Sequence, residues 1–300
     1  MGDKVHGWTV QKVEHVSSFH VNTFQLRHDK TGANYFHIEA PDKNNSFSIS
    51  FQTPPDDSTG APHILEHTTL CGSEKYPVQD LFFNMYKRSM NTYMNAYTAP
   101  DHTTYPFATQ NEKDYYNLLS VYLDATLFPR LLETDFKQEG HRLEFDQPED
   151  KNSPLKIKGV VYNEMKGAMS DPSQFFWRSV QAAVLPGTIY AFNSGGDPKV
   201  IPDITYEQLK KFHQIHYHPS HAYIFTYGDL PFENHLKFMN ENGFDRFDPL
   251  PKLNAIDRVK RFSEPQRVHI QGPADPMAAD PKKQTKISVS FLTNDCADTR

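Results

Sequence analysis

The sequence predicts an α+β fold in which a mostly antiparallel sheet packs against helices in a two-layer domain. Segments with strand alternation and segments with helical spacing are both present, but they lack the regular β-α-β alternation that a doubly wound parallel sheet requires. The 300 residues, of which 37% are hydrophobic and 23% charged, have the composition of an ordinary globular chain with a sizeable core.

The first fifty residues predict strands. Residues 19–26 and 35–40 are extended runs on either side of a turn in which Gly32 allows a positive φ. Residues 46–51 alternate strictly between polar and apolar side chains. This alternation places three apolar side chains on one buried face of the strand: Phe47, Ile49 and Phe51.

The middle of the chain mixes both element types. Residues 78–90 predict a helix, and residues 91–98 and 103–108 predict two strands joined by a turn. Asn111 is a typical N-cap for a helix that ends near residue 127. Five side chains recur at helical spacing and should face the core: Tyr115, Leu118, Leu119, Tyr122 and Leu123.

The second half of the sequence continues this mixture. Residues 157–161 predict a buried strand that leads into a helix from about residue 163. Two amphipathic helices, over 206–217 and 232–240, should flank a strand at 221–227.

A linker is predicted at residues 248–252, Asp-Pro-Leu-Pro-Lys. We therefore divide the chain into a main domain over 1–250 and a segment over 251–300 that begins a second domain. Residues 286–292 alternate like a strand with one buried face. Little sequence remains after them to supply partner strands, so we expect the protein to continue beyond residue 300.

The bulk properties exclude several classes of function. The net charge of −6 gives no sign of the basic face that nucleic-acid binding requires. No apolar run approaches the ~18 residues of a membrane span. Two cysteines do not form a disulfide framework, which favours a reducing compartment. No secretory signal or Arg-rich transit peptide is visible at the start of the chain.

The segment His63-Ile64-Leu65-Glu66-His67 predicts a metal site on a helix that begins near Pro62. Residues three and four apart lie on one helical face, so both imidazoles and the Glu66 carboxylate point into one sector. Two imidazoles stacked in this way can both bind one Zn²⁺. Glu66 is then placed to take a proton from a zinc-bound water. The order His-x-x-Glu-His is the inverzincin motif.

A catalytic zinc needs a third protein ligand, and the residues alone leave three candidates open. Glu164 follows the strand predicted at 157–161, which is a rigid place from which to present a carboxylate. A glutamate in the first turn of a helix can equally serve only the helix dipole. Glu139 and Glu144 are the rivals.

Beyond this motif, the sequence resembles the pitrilysin family of zinc peptidases, and in particular its presequence-protease branch. The resemblance covers nearly the whole chain, in order. The stretches that carry it include His63-Ile64-Leu65-Glu66-His67, Leu70-Cys71-Gly72-Ser73, Asn95-Ala96-Tyr97-Thr98, Tyr105-Pro106-Phe107, Gln138-Glu139-Gly140, Asn163-Glu164-Met165-Lys166-Gly167, Ser194-Gly195-Gly196-Asp197-Pro198 and Tyr217-His218-Pro219-Ser220.

The resemblance implies one zinc ion per catalytic domain, with His63, His67 and Glu164 as its ligands and Glu66 as general base. It implies a metalloendopeptidase that degrades short unstructured peptides, such as cleaved presequences, in the mitochondrial matrix. The substrate is expected to add as a strand to the sheet edge at 91–98. The residues that would bind it there are Asn91, Tyr93, Asn95, Ala96 and Tyr97.

The family enzymes are longer than this chain and enclose substrate between two halves. The resemblance therefore implies a C-terminal half as a partner, and the 300-residue piece alone should be weakly active or inactive. A second hypothesis is a catalytically silent piece or homologue that binds peptides or serves as a scaffold.

Overall fold

The structure, a computed structural model, describes residues 2–280 and 282–294. Within that part the strands are β1 Lys4–Val5, β2 Trp8–Val16, β3 Val21–His28, β4 Asn34–Glu39, β5 Asn45–Gln52, β6 Asn91–Met94, β7 Tyr97–Thr98, β8 His102–Thr109, β9 Arg142–Phe145, β10 Leu155–Lys158 and β11 Ala222–Gly228. The helices are α1 Ala61–Thr69, α2 Leu81–Arg88, α3 Glu112–Leu127, α4 Glu133–Glu139, α5 Val160–Ala168, α6 Pro172–Val184, α7 Tyr206–His216 and α8 Phe232–Asn242.

Nine of these strands form one sheet in the order β1-β2-β3-β4-β11-β5-β8-β6, and β7 also pairs with β8. The pairing of β11 with β4 is parallel, and the other pairings in the sheet are antiparallel. The predicted α+β class with a mostly antiparallel sheet is thus confirmed. No helix in the described residues is long and apolar enough to cross a bilayer.

The core lies between one face of this sheet and the helices. The three side chains predicted to share a face of β5 are at most 1% exposed. The side chain of Asn111 accepts a hydrogen bond from the backbone N–H of Asp114 and so caps α3, as predicted. The five apolar side chains predicted on the inner face of α3 are also buried.

The segment predicted as one strand over 91–98 is two strands, β6 and β7, separated by Asn95 and Ala96. The interruption lies beside Pro106 of β8, whose carbonyl accepts from the Asn95 backbone N–H at 3.1 Å. The N–H and C=O of one strand residue point the same way, and proline has no N–H to donate. The missing donor therefore coincides with the break in pairing.

The strand predicted over 157–161 is confirmed only at residues 157 and 158, which end β10, and these two residues are half-buried rather than buried. The strand β10 pairs with β9 in a separate two-stranded hairpin, and Leu155 is 59% exposed. The next two residues after Gly159, Val160 and Val161, already belong to α5, because a short apolar run serves a helix as readily as a strand. The third-ligand candidate Glu164 consequently lies in the second turn of that helix.

No strand forms over the predicted segment 286–292. Its alternate apolar side chains, Ile287, Val289 and Phe291, are 84%, 79% and 81% exposed. A strand is stabilised by pairing and by burial of one face, and neither is available to this segment within the described residues. The division of the chain at residues 250 and 251 remains a prediction.

Buried histidines give the fold a built-in sensitivity to acid. Burial lowers the pKa of His37, His213, His216 and His218 to about 4, and that of His235 to about 3. Unfolding returns each imidazole to its ordinary pKa of 6.5, so the unfolded chain binds more protons between those values. The free energy of unfolding therefore falls as the pH drops from about 6.5 to 4.

We predict that His235→Gln weakens this pH dependence. His235 is 1% exposed, and its Nδ1 hydrogen-bonds to the Tyr116 hydroxyl at 3.0 Å. Removing its titration should take roughly 3 kcal/mol out of the stability difference between pH 7 and pH 4. Urea unfolding followed by circular dichroism at both pH values measures this. The exposed His269 supplies the control, and a His269→Gln variant with an equally flattened profile contradicts the prediction.

Candidate metal centre

The helix α1 presents three polar side chains on one sector because its opposite sector is fixed in the core. Ile64 and Leu65 are fully buried, which sets the rotation of the helix about its axis. His63, Glu66 and His67 then point together toward the open side, as their spacing predicted. His63 is 8% exposed, so its ring is already held by surrounding groups.

The structure brings Glu164 of α5 to the two histidines of α1. The Glu164 Oε2 atom lies 3.8 Å from His63 Nε2 and 3.8 Å from His67 Nε2, and the three atoms all lie within 4.8 Å of one another. Ligand atoms arranged tetrahedrally at about 2.0–2.2 Å from zinc are ~3.4 Å apart. The two distances to Glu164 Oε2 exceed this value by about 0.4 Å, and the 4.8 Å bound leaves up to about 1.4 Å to be closed between the two imidazoles when an ion binds.

Each histidine donates a hydrogen bond from its other ring nitrogen, Nδ1, to an acceptor outside the ligand group. His63 Nδ1 lies 3.0 Å from the Gly195 carbonyl oxygen, and His67 Nδ1 lies 3.0 Å from Glu139 Oε2. Both acceptors require a proton on Nδ1, so in the neutral imidazoles the lone pair lies on Nε2, the nitrogen 3.8 Å from Glu164 Oε2. Histidines that bind metal show this pattern of outer hydrogen bonds. The residues present therefore fit a divalent metal ion.

The charge of this region also favours a cation. Burial lowers the pKa of His67, but the hydrogen bond to Glu139 and the charges of Glu66, Glu139 and Glu164 outweigh it, so the net shift is upward. Burial raises the pKa of Glu139, yet hydrogen bonds from His67 and Gln138 leave it below its usual value. Three carboxylates around one partly buried imidazole create a negative potential.

The three carboxylates that the sequence left open have different positions. Glu164 faces both Nε2 atoms. Glu139 stands behind His67 as its hydrogen-bond acceptor, which sequence reasoning considered only as a rival ligand. Glu144 is turned away into ion pairs with Arg142 at 2.6 Å and Lys158 at 2.8 Å. The ligand role of Glu164 was implied by resemblance, and only the tertiary structure shows the three atoms together.

Glu66 is tied to the neighbouring strand. The Thr98 hydroxyl at the end of β7 donates to Glu66 Oε2 at 2.6 Å. Sequence reasoning did not assign this role to Thr98, although Thr98 stands in the quoted stretch Asn95-Ala96-Tyr97-Thr98. The bond orients the carboxylate and connects it to the edge of the sheet.

That edge is formed by β6 and β7, the strands predicted to bind substrate. Both pair with β8 on one side, and the sheet order places them at its end. Tyr93 and Tyr97 are 50% and 46% exposed, and Asn95 is exposed as well, while Asn91 and Ala96 are partly buried. Within the described residues no strand pairs with the outer side of β6 or β7, and the hydrogen bond from Thr98 places this edge beside Glu66.

Comparison with known proteins identifies the family. Residues 52–164 match the family described as Insulinase (Peptidase family M16), and residues 203–299 match the one described as Peptidase M16 inactive domain. The first match contains His63, Glu66, His67 and Glu164. The chain belongs to peptidase family M16. Membership in this metallopeptidase family implies a metal cofactor, for which the His63–His67–Glu164 group is the candidate site.

Curated relatives share about half of the sequence. The chain is 52% identical over 298 residues to "Presequence protease, mitochondrial" of Xenopus tropicalis, which covers 99% of this chain and 29% of that protein. The protein of the same name from Mus musculus is 52% identical over 299 residues, covering 100% and 29%. That from Schizosaccharomyces pombe is 51% identical over 301 residues, covering 99% and 30%. The chain thus spans less than a third of the length of these relatives.

Solved structures share the fold. Pitrilysin superposes with a TM-score of 0.62 at 20% identity, over 83% of this chain and 26% of that one. A protease from Helicobacter pylori superposes with a TM-score of 0.62 at 18% identity, over 79% and 53%. At this level of identity the likeness concerns the fold alone.

We predict that three single substitutions to glutamine separate the roles of the carboxylates. Glu164→Gln removes a charged oxygen from the ligand group and should reduce zinc affinity most. Glu139→Gln weakens the acceptor on His67 and should reduce affinity about 10- to 100-fold. Glu144→Gln, the control, breaks only ion pairs away from the site and should leave affinity unchanged. Competition against a chromophoric chelator measures all three. Equal affinities for the Glu164 and Glu144 variants would contradict the ligand assignment.

Proposed function

We propose that the protein is a zinc-dependent endopeptidase that degrades short unstructured peptides, such as cleaved presequences, in the mitochondrial matrix. The observation that carries this is the convergence of His63 Nε2, His67 Nε2 and Glu164 Oε2, with Glu66 adjacent on the same helix. The relatives named mitochondrial presequence proteases support the substrate class and the compartment.

The three ligand atoms would hold the ion between α1 and α5. Zinc supplies Lewis-acid chemistry there, since it lowers the pKa of water to about 7 and polarises a carbonyl group. Glu66 acts as the general base. Thr98 occupies its Oε2, so we assign proton transfer to Oε1. That oxygen accepts the proton of the attacking water and later delivers it to the leaving amine.

Substrate binding is assigned to the open edge of β6 and β7. An extended peptide added there gains main-chain hydrogen bonds, which depend little on its sequence. This suits a peptidase that accepts many unstructured peptides. Because Thr98 belongs to the same edge and holds Glu66, a peptide paired along β7 would lie next to the general base.

The complete enzyme is expected to include a further half that closes over the substrate. The chain spans 29% of the length of the frog and mouse relatives, and their full-length activity belongs to a longer polypeptide. The alternative hypothesis, a piece that binds metal or peptide without turnover, therefore applies to these 300 residues on their own.

We predict that Glu66→Gln abolishes peptide hydrolysis and leaves zinc bound. Glutamine keeps the shape and the acceptor for Thr98 but cannot take the proton, which should cost at least about 10²-fold in kcat. Hydrolysis of a fluorogenic presequence peptide by the full-length enzyme and metal analysis of both proteins measure this. Normal turnover by the variant would rule out Glu66 as the base. The 300-residue chain, assayed in parallel, should bind zinc with little turnover.

We also predict that substrate binding depends on the peptide backbone at alternate positions. N-methylation of an amide that pairs with the edge removes a donor and adds a clash, which should raise KM about tenfold or more. N-methylation of the neighbouring amide, which points away, is the matched control and should leave KM nearly unchanged. A series of peptides methylated one position at a time tests this with the full-length enzyme. An effect without a two-residue period would argue against strand addition.

A further inference from the structure

Two loops meet backbone to backbone behind His63. Gly60 has a φ of 78°, and a Cβ atom placed on it would lie 2.9 Å from the Gly195 carbonyl oxygen and 2.9 Å from Gly196 Cα. Gly196 has a φ of 103°, and its Cβ would lie 2.7 Å from the Ile201 side chain. A side chain at Gly60 would require a shift of the facing backbone, and one at Gly196 would require a strained positive φ and a shift of the Ile201 side chain. The contact therefore depends on glycine in both loops.

Hydrogen bonds fasten the two loops together on both sides of this contact. The Asp197 backbone N–H donates to the Ser58 carbonyl at 2.8 Å, and the Asn193 backbone N–H donates to Ser58 Oγ at 3.1 Å. Asn193 Nδ2 also donates to the Gly196 carbonyl at 3.1 Å. The loop over 193–197 thus has a fixed position relative to residues 58–60.

The same contact reaches both helices of the metal centre. The Gly60 carbonyl accepts the backbone N–H of Ile64 at 2.9 Å and so starts α1. On the other side, a Cβ on Gly195 would lie 3.0 Å from Met165 Cε, next to Glu164 in α5. The Gly195 carbonyl is therefore held between the two elements that carry the ligand atoms.

We propose that Gly60, Gly195 and Gly196 form a glycine junction whose role is to position His63 for the metal. The junction holds the Gly195 carbonyl at His63 Nδ1, fixes the tautomer that leaves the Nε2 lone pair free, and aims that lone pair at Glu164. The inference rests on the proposed metal-binding function. It assigns a positioning role to three residues outside the metal-binding motif, and two of them lie about 130 residues from it in sequence.

The decisive variant is Gly60→Ala in the 300-residue chain. The added methyl group must displace the Gly195 carbonyl, which loosens the hydrogen bond to His63. We expect zinc affinity, measured by chelator competition, to fall about 10- to 100-fold, as for other losses of an outer partner of a ligating histidine. Imidazole ¹⁵N shifts of the metal-free protein should show His63 passing from a single tautomer to a mixture.

Gly187→Ala is the matched control. Gly187 has a φ of 72°, close to that of Gly60, but nothing lies within 4 Å of a Cβ placed on it. The control therefore carries the same backbone strain without the clash. Zinc affinity and the His63 ¹⁵N shifts should remain as in the wild-type chain. Thermal unfolding of both variants without metal shows how much stability each loses through strain alone.

The outcomes separate the junction from the metal centre itself. If Gly60→Ala binds zinc as tightly as Gly187→Ala, the positioning role is overturned and the metal centre stands. If the wild-type chain binds no zinc, the proposed function fails and the inference fails with it. Should Gly60→Ala not fold, Asn193→Ala replaces it, since it removes the Nδ2 bonds to the Gly196 carbonyl and to Met169 Sδ without adding a clash. That variant should lose affinity at the lower end of the stated range, and unchanged affinity overturns the proposal.

Discussion

The candidate site depends first on the burial of one side of a nine-residue helix. Ile64 and Leu65 are anchored in the core between sheet and helices, and this fixes the rotation of α1. Its remaining sector can then present two imidazoles and a carboxylate with little freedom. Without that anchoring, a helix of this length would be marginal, and its polar residues would have no common direction.

The second requirement is that distant parts of the chain supply acceptors for the two histidines. His63 is held by a backbone carbonyl and His67 by a carboxylate, so one hydrogen bond is neutral and the other is charge-assisted. The charged carboxylate of Glu139 is partly buried, and its hydrogen bond with His67 offsets the cost of its desolvation. The two imidazoles are therefore oriented before any ion arrives, which reduces the reorganisation that binding requires.

The position of Thr98 connects the proposed chemistry with the proposed binding mode. A strand added along β6 and β7 would lie on the same structural element that orients the general base. The interruption of this edge beside Pro106 adds a local irregularity where a strand would otherwise run straight. In the proposed binding mode, the exposed tyrosines of the edge would offer apolar surface to a peptide whose main chain is paired there.

The sequence by itself determined the local features. The alternation in β5, the cap at Asn111 and the His63-to-His67 spacing each depend on neighbours a few residues apart, and each could be read without coordinates. The residues alone could not choose among Glu139, Glu144 and Glu164, because that choice depends on where α4, β9 and α5 pack against α1. Resemblance favoured Glu164, and packing put it opposite both imidazoles and placed Glu139 behind one of them.

The errors in the strand predictions over 157–161 and 286–292 have the same cause, because both predictions depended on long-range packing. The apolar residues near 157–161 satisfy a strand or a helix equally well until their surroundings are known, and the alternation at 286–292 describes a strand only when another strand lies beside it. The contact between Gly60 and Gly195 could not be inferred from either loop, since the need for glycine at position 60 comes from the backbone of the other loop and that at position 195 from Met165. Local preference is encoded within a few residues, whereas a site assembled from five separate segments exists only after long-range packing has fixed their distances.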